Sequence, residues 1–595
     1  MVNPYRAVGW NRQKKLYDRT LLASVAAFLA LFVAASASLA PNAALETHLI
    51  RAFGAAAFTL LHVILSVGPL CRLDARFLPL LYNRRHMGVT MFGLALAHGS
   101  FAFVQYHAFG VVSPFVSLFA GDVGAQGFAG IPFQPLGALA LAILFLMAAT
   151  SHDFWLANLT APVWKALHML VYVAYGLLVL HVALGVLQSD RSPWLAALVG
   201  AGMVVVLSLH VASASKERKL DASDLLAESD GFVDACAADE IPEKRAKIVR
   251  IGGERVAVFR YGGKLSAVSN ACQHQNGPLG EGKIVDGCIT CPWHGYQYAP
   301  DTGASPQPFS EKVPTFRVRC SKGRVLVHAT PLAPGTRVEP ANIDGAARED
   351  SREFYVGWQE RAPVRLGART RAAVLALAAL GLCVAFVAAA HQRALGASRF
   401  EFGVEREFRG VVEARPYPTL RVARPQDGVS RFLLVAPGKH GAELASFDGR
   451  AVSLRGQLIY RDDRTMIEIA PESVREDAAA APLALATARS LGERTLRGEI
   501  VDSKCHLGVM SPGERRTHRA CAKLCIRGGI PPILWVEDEG GAVQKLVLVG
   551  RDGRAVNAEV LELVGERVEI TGEVLVLDDL YVLRAEPSTY VRLDS

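Results

Sequence analysis

Residues 270–300 read NACQHQNGPLGEGKIVDGCITCPWHGYQYAP, and they contain two cysteine–histidine pairs. The first pair is Cys272 with His274, and the second is Cys291 with His294. Each pair lies in its own loop, which is rich in glycine and proline, the residues that turns favour. Short alternating segments around the loops, including AKIVRI, RVAVFRY and KLSAVS, predict β-strands. The four side chains are therefore expected to meet at the tip of a small β-domain.

Two thiolates and two imidazoles allow two kinds of metal centre. A tetrahedral zinc ion accepts a Cys₂His₂ ligand set. A [2Fe-2S] cluster accepts two cysteines on one iron and two histidines on the other. Two separate loops at the tip of a β-domain favour the iron–sulfur cluster over zinc.

The segment GPLGEGKIVDGCITCPWHGYQYAPDTG resembles the Rieske [2Fe-2S] family, and the resemblance covers about residues 225–335. It implies that the two cysteine–histidine pairs hold the cluster. High-potential members of the family carry an extra cysteine in each loop, and the two form a disulfide. This sequence has Gly277 in the first of those places, so Cys288 is expected to be a buried free thiol. The domain is thus similar to the disulfide-free ferredoxin and oxygenase-component type.

Apolar runs on both sides of this segment predict a multi-pass membrane protein. Of the 595 residues, 51% are hydrophobic, and the mean hydropathy is +0.24. The net charge is +8. Much of the basic excess flanks the apolar runs and forms no basic, aromatic-interleaved stripe, so no nucleic-acid partner is expected. Runs of about twenty apolar residues are long enough to span a bilayer. The predicted spans are 21–40, 51–70, 87–106, 135–150, 167–187, 194–213 and 371–390.

The distribution of basic residues predicts the orientation of the chain. Lysines and arginines cluster before the first span, between the second and third, and just after the sixth, whereas 107–134 has none. Basic loops stay in the cytoplasm. We therefore expect a bacterial inner-membrane protein with its N-terminus and Rieske domain in the cytoplasm and its C-terminal region in the periplasm.

Histidines within the spans are candidates for haem ligands. An ionisable side chain at membrane depth is costly and commonly functional, although a histidine also joins helices by hydrogen bonding. His98 in the third span and His181 in the fifth are expected to share one haem. His168, thirteen residues before His181, is expected to hold a second haem with His86. Because thirteen residues do not return to the same helix face, the fifth span is expected to bend or to present its haems at different angles.

The segments around these histidines, GPLCRLDARFLPLLYNRRHMGVTMFGLALAH and TSHDFWLANLTAPVWKALHMLVYVAYGLLVLH, resemble the ferric reductase-like transmembrane domain over about residues 50–212. The pattern is similar to the haem-binding membrane subunit of the methionine sulfoxide reductase system. The resemblance implies b-type haem, one or two per chain. His86 departs from the family pattern, which usually has an aliphatic residue at that position.

The C-terminal region contains an internal repeat and a second cysteine cluster. FDGRAVSLRGQLIYRDD at 447–463 recurs as LVGERVEITGEVLVLDD at 563–579, which predicts two small β-domains, OB-like in kind. A tentative outer site lies between the repeats. It is interpreted either as a metal site or as a disulfide with one spare thiol. Its residues are Cys505, Cys521, Cys525 and His518.

The sequence as a whole predicts a multi-domain membrane protein: a six-helix transmembrane bundle, an all-β Rieske domain, a seventh transmembrane helix and two small all-β domains. The expected function is electron transfer between a cytoplasmic donor, a protein or small reductant, and an extracytoplasmic acceptor, in either direction, by a protein embedded in membrane lipid. The alternatives are a non-catalytic relay and a redox sensor that uses the outer cysteines. The expected divisions are 1–215 for the haem-binding membrane domain, 216–340 for the Rieske domain, 341–370 for a linker, 371–391 for the seventh helix, 393–475 for one β-domain and 490–595 for the other.

Overall fold

The structure is a computed structural model of the whole chain. It describes residues 10–593 apart from 121–130, 160, 223, 226–229, 308, 344–348, 351, 425–427, 478–482, 484–487 and 538–542. Part of the expected linker, at 344–348 and 351, therefore lies outside the described residues.

The chain is a multi-pass membrane protein. Among the described residues, six helical spans are long and apolar enough to cross a membrane, and a shorter apolar helix occupies the predicted fourth span. The helices are α1 Arg12–Leu39, α2 Leu45–Leu73, α3 Leu78–Leu81, α4 Arg84–His107, α5 Pro114–Ala120, α6 Phe133–Ala149, α7 Asp153–Asn158, α8 Ala161–Met169, α9 Val171–Leu184, α10 Val186–Asp190, α11 Pro193–Asp221, α12 Val364–Ala390 and α13 Arg519–Arg527.

The fifth predicted span is interrupted rather than straight. It consists of α8, α9 and α10, with Leu170 and Gly185 at the two junctions. At Gly185 both backbone angles leave the helical region, with φ −96° and ψ −99°. His168 ends up on α8 and His181 on α9, so the two need not share a helix face. Leu170, the junction between the two histidines, keeps helical backbone angles of φ −59° and ψ −13°, so a bend between them stays a prediction.

The segment between α11 and α12 is an all-β domain. A six-stranded sheet and two three-stranded sheets enclose its core, and the third sheet carries the second cysteine–histidine loop. The strands are β1 Asp224–Leu225, β2 Phe232–Ala237, β3 Ala246–Ile251, β4 Glu254–Tyr261, β5 Lys264–Ser269, β6 Lys283–Val285, β7 Cys288–Thr290, β8 Gln297–Tyr298, β9 Thr315–Phe316, β10 Val318–Ser321, β11 Arg324–His328 and β12 Ala341–Asn342.

This β-domain docks against one end of the helical bundle. Trp293, from the second loop, packs into an apolar cluster formed by Val67 and Leu81 near the ends of α2 and α3 and by Leu377 of α12. On the other side, the guanidinium of Arg255 pairs with two carboxylates near the end of α11, Glu217 and Asp221. The domain is therefore held by both apolar and ionic contacts.

The segment before α12 fills the space between the two parts. Val356 is buried, and the indole Nε1 of Trp358 donates a hydrogen bond to the carbonyl of Gly295 at 3.1 Å. Gly357 lies so close to the ring of Tyr82 that a Cβ would come within 2.1 Å of it. These residues thus form part of the interface between the β-domain and the bundle.

Beyond α12 the chain forms two β-barrels with the same topology. In the first, β14, β15, β16, β19 and β18 close into a ring, and in the second β21, β22, β23, β25 and β24 do the same. The predicted fold class is thereby confirmed. The strands are β13 Ser398–Phe400, β14 Arg406–Glu413, β15 Thr419–Arg424, β16 Gly428–Ala436, β17 His440–Gly441, β18 Ala451–Arg461, β19 Arg464–Ile469, β20 Arg475–Glu476, β21 Arg489–Asp502, β22 Pro532–Glu537, β23 Val543–Val549, β24 Arg567–Leu577, β25 Leu580–Arg584 and β26 Val591–Arg592.

The barrels contact the end of the bundle opposite to the Rieske domain. The hydroxyl of Thr47, at the start of α2, donates to the carbonyl of Ser511 at 2.6 Å. The ammonium of Lys439 donates to the carbonyl of Tyr106, near the end of α4, at 2.8 Å. The Rieske domain meets α2 at its other end. The two soluble regions therefore lie at opposite ends of the membrane helices.

A half-buried carboxyl at the Rieske–bundle interface predicts a pH-dependent stability. Burial, followed by the charge of Glu217, raises the pKa of Glu281 from 4.5 to about 7. In the unfolded chain this group ionises at lower pH, so stability is lost as pH rises between about 4.5 and 7. Glu281→Gln is expected to raise the stability of the docked domain above that range by on the order of 2 kcal/mol, after discounting for partial exposure. Thermal unfolding followed by tryptophan fluorescence across pH measures this.

The exposed Glu339 of the same domain provides the control, since Glu339→Gln should leave the pH profile unchanged. Parallel profiles for Glu281→Gln and the wild type would contradict the assignment.

Candidate metal centres

The two cysteine–histidine loops have the same backbone design. The N–H of Cys272 donates to the carbonyl of Gly277 at 2.9 Å, and the N–H of Asn276 donates back to the carbonyl of Cys272 at 2.7 Å. The second loop repeats both bonds, from Cys291 to Tyr296 at 2.7 Å and from Gly295 to Cys291 at 3.0 Å. Two related loops thus present their ligands from opposite sides of one site.

A left-handed residue closes the turn in each loop. Asn276 has φ +56° and Gly295 has φ +74° at equivalent positions. Asparagine and glycine are the residues that adopt this conformation most readily. The local sequence therefore supports the loop geometry at both places.

The four candidate ligands are arranged as two thiols and two imidazoles. Cys272 and Cys291 are buried, with their thiols in direct interaction, and the rings of His274 and His294 face each other with centroids 5.1 Å apart. Among the described residues, no three of these ligand atoms lie within 4.8 Å of one another. Tetrahedral zinc, with bonds of about 2.0–2.3 Å, needs four ligand atoms closer than this. The donor set therefore fits a two-iron cluster better than a single ion.

Two neighbours shape the sulfur environment. The hydroxyl of Tyr298 accepts a hydrogen bond from the N–H of Gln273 at 3.1 Å and contacts the sulfur of Cys272 at 3.3 Å. A Cβ at Gly277 would lie 2.7 Å from the sulfur of Cys291. Only glycine allows the first loop to approach this closely.

Cys288 is a free thiol, as the sequence predicts, but it is half-buried rather than buried. It is the first residue of β7, the central strand of the small third sheet. Burial is still sufficient to raise the pKa of the Cys288 thiol.

In the bundle, His98 of α4 and His181 of α9 face each other. Their ring centroids are 6.1 Å apart, and the ring planes are nearly perpendicular. Each Nδ1 is hydrogen-bonded to a carbonyl of another helix or its cap: His98 to Ile50 at 2.9 Å and His181 to Phe133 at 2.8 Å. Both Nε2 atoms are thereby left for another partner.

His86 and His168 are not brought into ring contact with each other. The Nδ1 of His86 lies 3.0 Å from the carboxylate of Asp18 on α1. His168 stacks on Trp164, and its Nε2 is 3.4 Å from the hydroxyl of Ser151. Their role as ligands stays a prediction.

Two glycines that the sequence analysis did not single out lie directly against the paired histidines. A Cβ at Gly54 would come within 2.9 Å of the His98 ring, and one at Gly137 within 2.7 Å of the His181 ring. Their spacing along the chain gives no signal, because each acts on a histidine of a different helix. The docking residues Trp293 and Trp358 were missed for the same reason.

At the opposite end of the bundle, the tentative outer site is assembled. The ligand atoms of Cys505, Cys521 and Cys525 lie within 4.8 Å of one another. His518 forms a second group with Cys505 and Asp502 within the same distance. Asp502 was not among the residues predicted from the sequence.

Two protein families match parts of this chain. The Rieske [2Fe-2S] domain family matches residues 231–317, and the ferric reductase like transmembrane component matches residues 53–179. The anthranilate 1,2-dioxygenase ferredoxin subunit of Burkholderia cepacia is 36% identical over 93 residues, which are 16% of this chain and 86% of that protein. The ferredoxin component of the alkene monooxygenase system of Xanthobacter autotrophicus is 29% identical over 102 residues, which are 17% of this chain and 84% of that protein.

A solved structure, the complex of reduced oxygenase and oxidized ferredoxin in carbazole 1,9a-dioxygenase, includes a chain 28% identical to this one. The match covers 17% of this chain and 97% of that chain, with a TM-score of 0.17.

Fold and site together define a membrane-embedded redox protein that carries an iron–sulfur domain. The chain belongs to the Rieske [2Fe-2S] family through residues 231–317, and this domain is fused to a ferric reductase-like transmembrane component.

The contact between Tyr298 and the Cys272 sulfur predicts a measurable effect on reduction potential. Hydrogen bonds to cluster sulfurs stabilise the more negative, reduced state. Tyr298→Phe is expected to lower the midpoint potential by tens of millivolts, since about 59 mV corresponds to 1.4 kcal/mol for one electron. A redox titration followed by electron paramagnetic resonance measures it.

Tyr296→Phe is the matched control, because the Tyr296 hydroxyl donates to Glu311 instead of facing a sulfur. Equal potentials in Tyr298→Phe and the wild type would exclude a role for this hydrogen bond.

Proposed function

We propose that this protein transfers electrons across the membrane, between a cytoplasmic donor and an extracytoplasmic acceptor, with a Rieske cluster at one end of the bundle and b-type haem within it. The observation that carries the proposal is the docking of Trp293, a neighbour of the ligand His294, among the ends of the membrane helices. When bound, cluster and haem both supply one-electron redox chemistry.

The geometry of His98 and His181 supports a haem held by both rings. Two metal–nitrogen bonds of about 2 Å, each extended by about 1.1 Å from nitrogen to ring centroid, place the centroids about 6.2 Å apart. The observed separation is 6.1 Å. A ligating imidazole typically donates its other N–H to a carbonyl or carboxylate, as both rings do here. The two rings line a cavity of about 1950 Å³, larger than the roughly 300–1,000 Å³ usual for small ligands.

Positive charge surrounds the iron–sulfur end of the path. Burial is the main cause that lowers the pKa of His294, and charges that include Arg84 and Lys14 lower it further. The same charges favour the more negative, reduced form of a cluster at this place. Arg84 is the first residue of α4, the helix that carries His98, so this stabilising charge lies at the start of that helix.

A second haem is proposed at His168, with His86 as its candidate partner. Both rings lie toward the Rieske end: His86 is in the first turn of α4, and His168 is near the start of the broken span. If His86 binds haem, its contact with Asp18 either breaks or is kept. In the second case the carboxylate of Asp18 orients the ligating imidazole.

The orientation follows from the charge distribution and is part of the proposal. Basic residues concentrate at the bundle end that holds the Rieske domain. That end is therefore assigned to the cytoplasm of a bacterial cell and the barrels to the periplasm. The relatives named above are ferredoxin components of oxygenase systems, which supports an electron-carrying role for the domain in this chain.

A substitution beside the paired histidines tests the haem site. The Cβ introduced by Gly137→Ala would overlap the His181 ring, so haem affinity is expected to fall about tenfold or more. Gly176→Ala, on the same helix as His181, is the control, because no atom lies within 4 Å of its Cβ position. Haem content of the purified protein, by pyridine haemochrome, is the measurement. Unchanged haem content in Gly137→Ala, or haem retained in His98→Ala and His181→Ala, would refute the pairing.

Transmembrane electron delivery is tested in proteoliposomes sorted for Rieske-outward orientation by protease accessibility. Dithionite added outside should reduce the cluster and then ferricyanide trapped inside. In His181→Ala, cluster reduction should persist while ferricyanide reduction is lost, because the bundle no longer carries the electron. Equal internal ferricyanide reduction in both proteins would contradict the proposal.

A further inference from the structure

The insertion between β21 and β22 contains a buried cluster of cysteine side chains. In the first barrel, the equivalent strands β14 and β15 are joined by a short connection, Ala414–Pro418. In the second barrel, residues 503–531 take its place and include α13. Cys505 and Cys525 bring their sulfur atoms to 3.9 Å.

The side chains converge because of their spacing on α13. His518 caps the helix, Cys521 lies three residues on and Cys525 a further four. Positions separated by three and four residues share one helix face. Cys505 comes from the short helical turn Cys505–Val509, which faces that side of α13.

The spacing of the three sulfur atoms matches three corners of a tetrahedral ion site. A metal–sulfur bond of about 2.3 Å places two sulfurs of a tetrahedron about 3.8 Å apart. The measured separation of Cys505 and Cys525 is 3.9 Å, and all three sulfurs lie within 4.8 Å of one another. A disulfide would require a bond of about 2.0 Å. The three cysteines are free among the described residues.

His518 supplies an independent sign of an absent ligand. It is 1% exposed, and its Nε2 lies 2.8 Å from the carboxylate of Asp502. Its Nδ1 is buried and has no hydrogen-bond partner. Leaving such a nitrogen unsatisfied costs about 1–3 kcal/mol, which a metal bond would remove.

Asp502 acts as the support behind the ligands. One of its carboxylate oxygens faces His518, and the other accepts the N–H of Cys505 at 2.8 Å. A carboxylate that orients a ligating histidine is the usual second partner in metal sites. Asp502 is fully buried and thus connects two of the candidate ligands.

The site is closed on every side that the structure describes. The first barrel covers α13, with the N–H of Gly441 donating to the carbonyl of Gly528 at 2.9 Å. Tyr106 of α4 packs against the same sulfur cluster. The thioether of Met510 accepts from the thiol of Cys521 at 3.5 Å, which adds a fourth sulfur. The three cysteines and His518 are each at most 3% exposed, so the site is suited to a tightly held ion.

We propose that Cys505, Cys521 and Cys525, with the imidazole of His518, bind one soft, thiophilic cation, either Zn²⁺ or Cu⁺. Both ions prefer thiolate ligands, and structural zinc sites commonly have a closed Cys₃His ligand set. The charge of three thiolates is partly balanced by Lys439, whose ammonium is held at the adjoining helix end.

Metal analysis of the full-length protein tests the proposal. After purification in chelator-treated detergent buffer, plasma mass spectrometry should find about one zinc or copper per chain in addition to the iron of cluster and haem. Cys521→Ser should lower that occupancy about tenfold or more, and Asp502→Asn should weaken affinity about 10–100-fold. Cys320→Ser, at a half-buried cysteine of the Rieske domain, should change neither.

The same experiment distinguishes the two ions. If the ion is copper, Met510→Leu should reduce occupancy, since a thioether ligand suits Cu⁺. If it is zinc, that variant should retain it, and Co²⁺ exchange should give thiolate-to-cobalt charge-transfer bands. Either result supports a thiophilic site, and neither depends on haem or on electron transfer.

If Cys521→Ser fails to fold, the proposal is tested on the wild-type protein alone. Titration with a mercurial should release the ion to a chromophoric chelator as the thiols react. No zinc or copper above the level of Cys521→Ser, or no metal released from the wild type, overturns the proposal. So does a disulfide between any two of the three cysteines in non-reducing peptide mapping.

Discussion

The insertion of Trp293 among the ends of the membrane helices is the contact on which the arrangement of the redox sites depends. Trp293 is a direct neighbour of His294, so burying its indole also fixes the distance of the ligand loop from the bundle. Trp358 holds the same loop through the Gly295 carbonyl. Interfaces between domains of one chain are often mobile, and this one is secured by apolar and ionic contacts on two sides. The docked domain is thus held at a defined place on the bundle by Trp293 and Trp358.

Helix α4 connects all three candidate sites. It begins at Arg84 beside the Rieske loop, presents His98 near its middle, and ends with Tyr106 against the outer sulfur cluster. At about 1.5 Å per residue, His98 lies roughly 21 Å from Arg84 and roughly 12 Å from Tyr106. One helix therefore sets the spacing along the membrane normal, and the partner histidine on α9 completes the central site. The interruption of the fifth span at Leu170 separates His168 from His181, so that each can turn toward its own surroundings.

The parts that sequence predicted well are those encoded locally. Apolar length located the spans, loop chemistry located the Rieske segment, and the repeat of 447–463 at 563–579 predicted two small β-domains. Contacts between distant segments were out of reach: nothing near Gly137 indicates that it supports His181, and nothing near Trp293 indicates that it enters the bundle. The outer cysteines show the limit most clearly, because their spacing fits a disulfide and a metal site equally well. The sulfur distances and the unsatisfied nitrogen of His518 are the structural observations on which the proposed metal site rests.

Two electrostatic effects act on an electron in the proposed path: the membrane potential and the basic residues near the cluster. In the proposed orientation the cytoplasm is the negative side, so an electron moving outward gains about 2.3 kcal/mol per 100 mV of membrane potential. Arg84 and Lys14 act against that gain, because they stabilise an electron on the cluster beside His294. In the proposed path, an electron therefore leaves the cluster only when an acceptor further along α4 has a higher reduction potential than the cluster. In the proposed path, the membrane potential favours outward transfer and opposes inward transfer, so the redox potentials of donor and acceptor decide the direction.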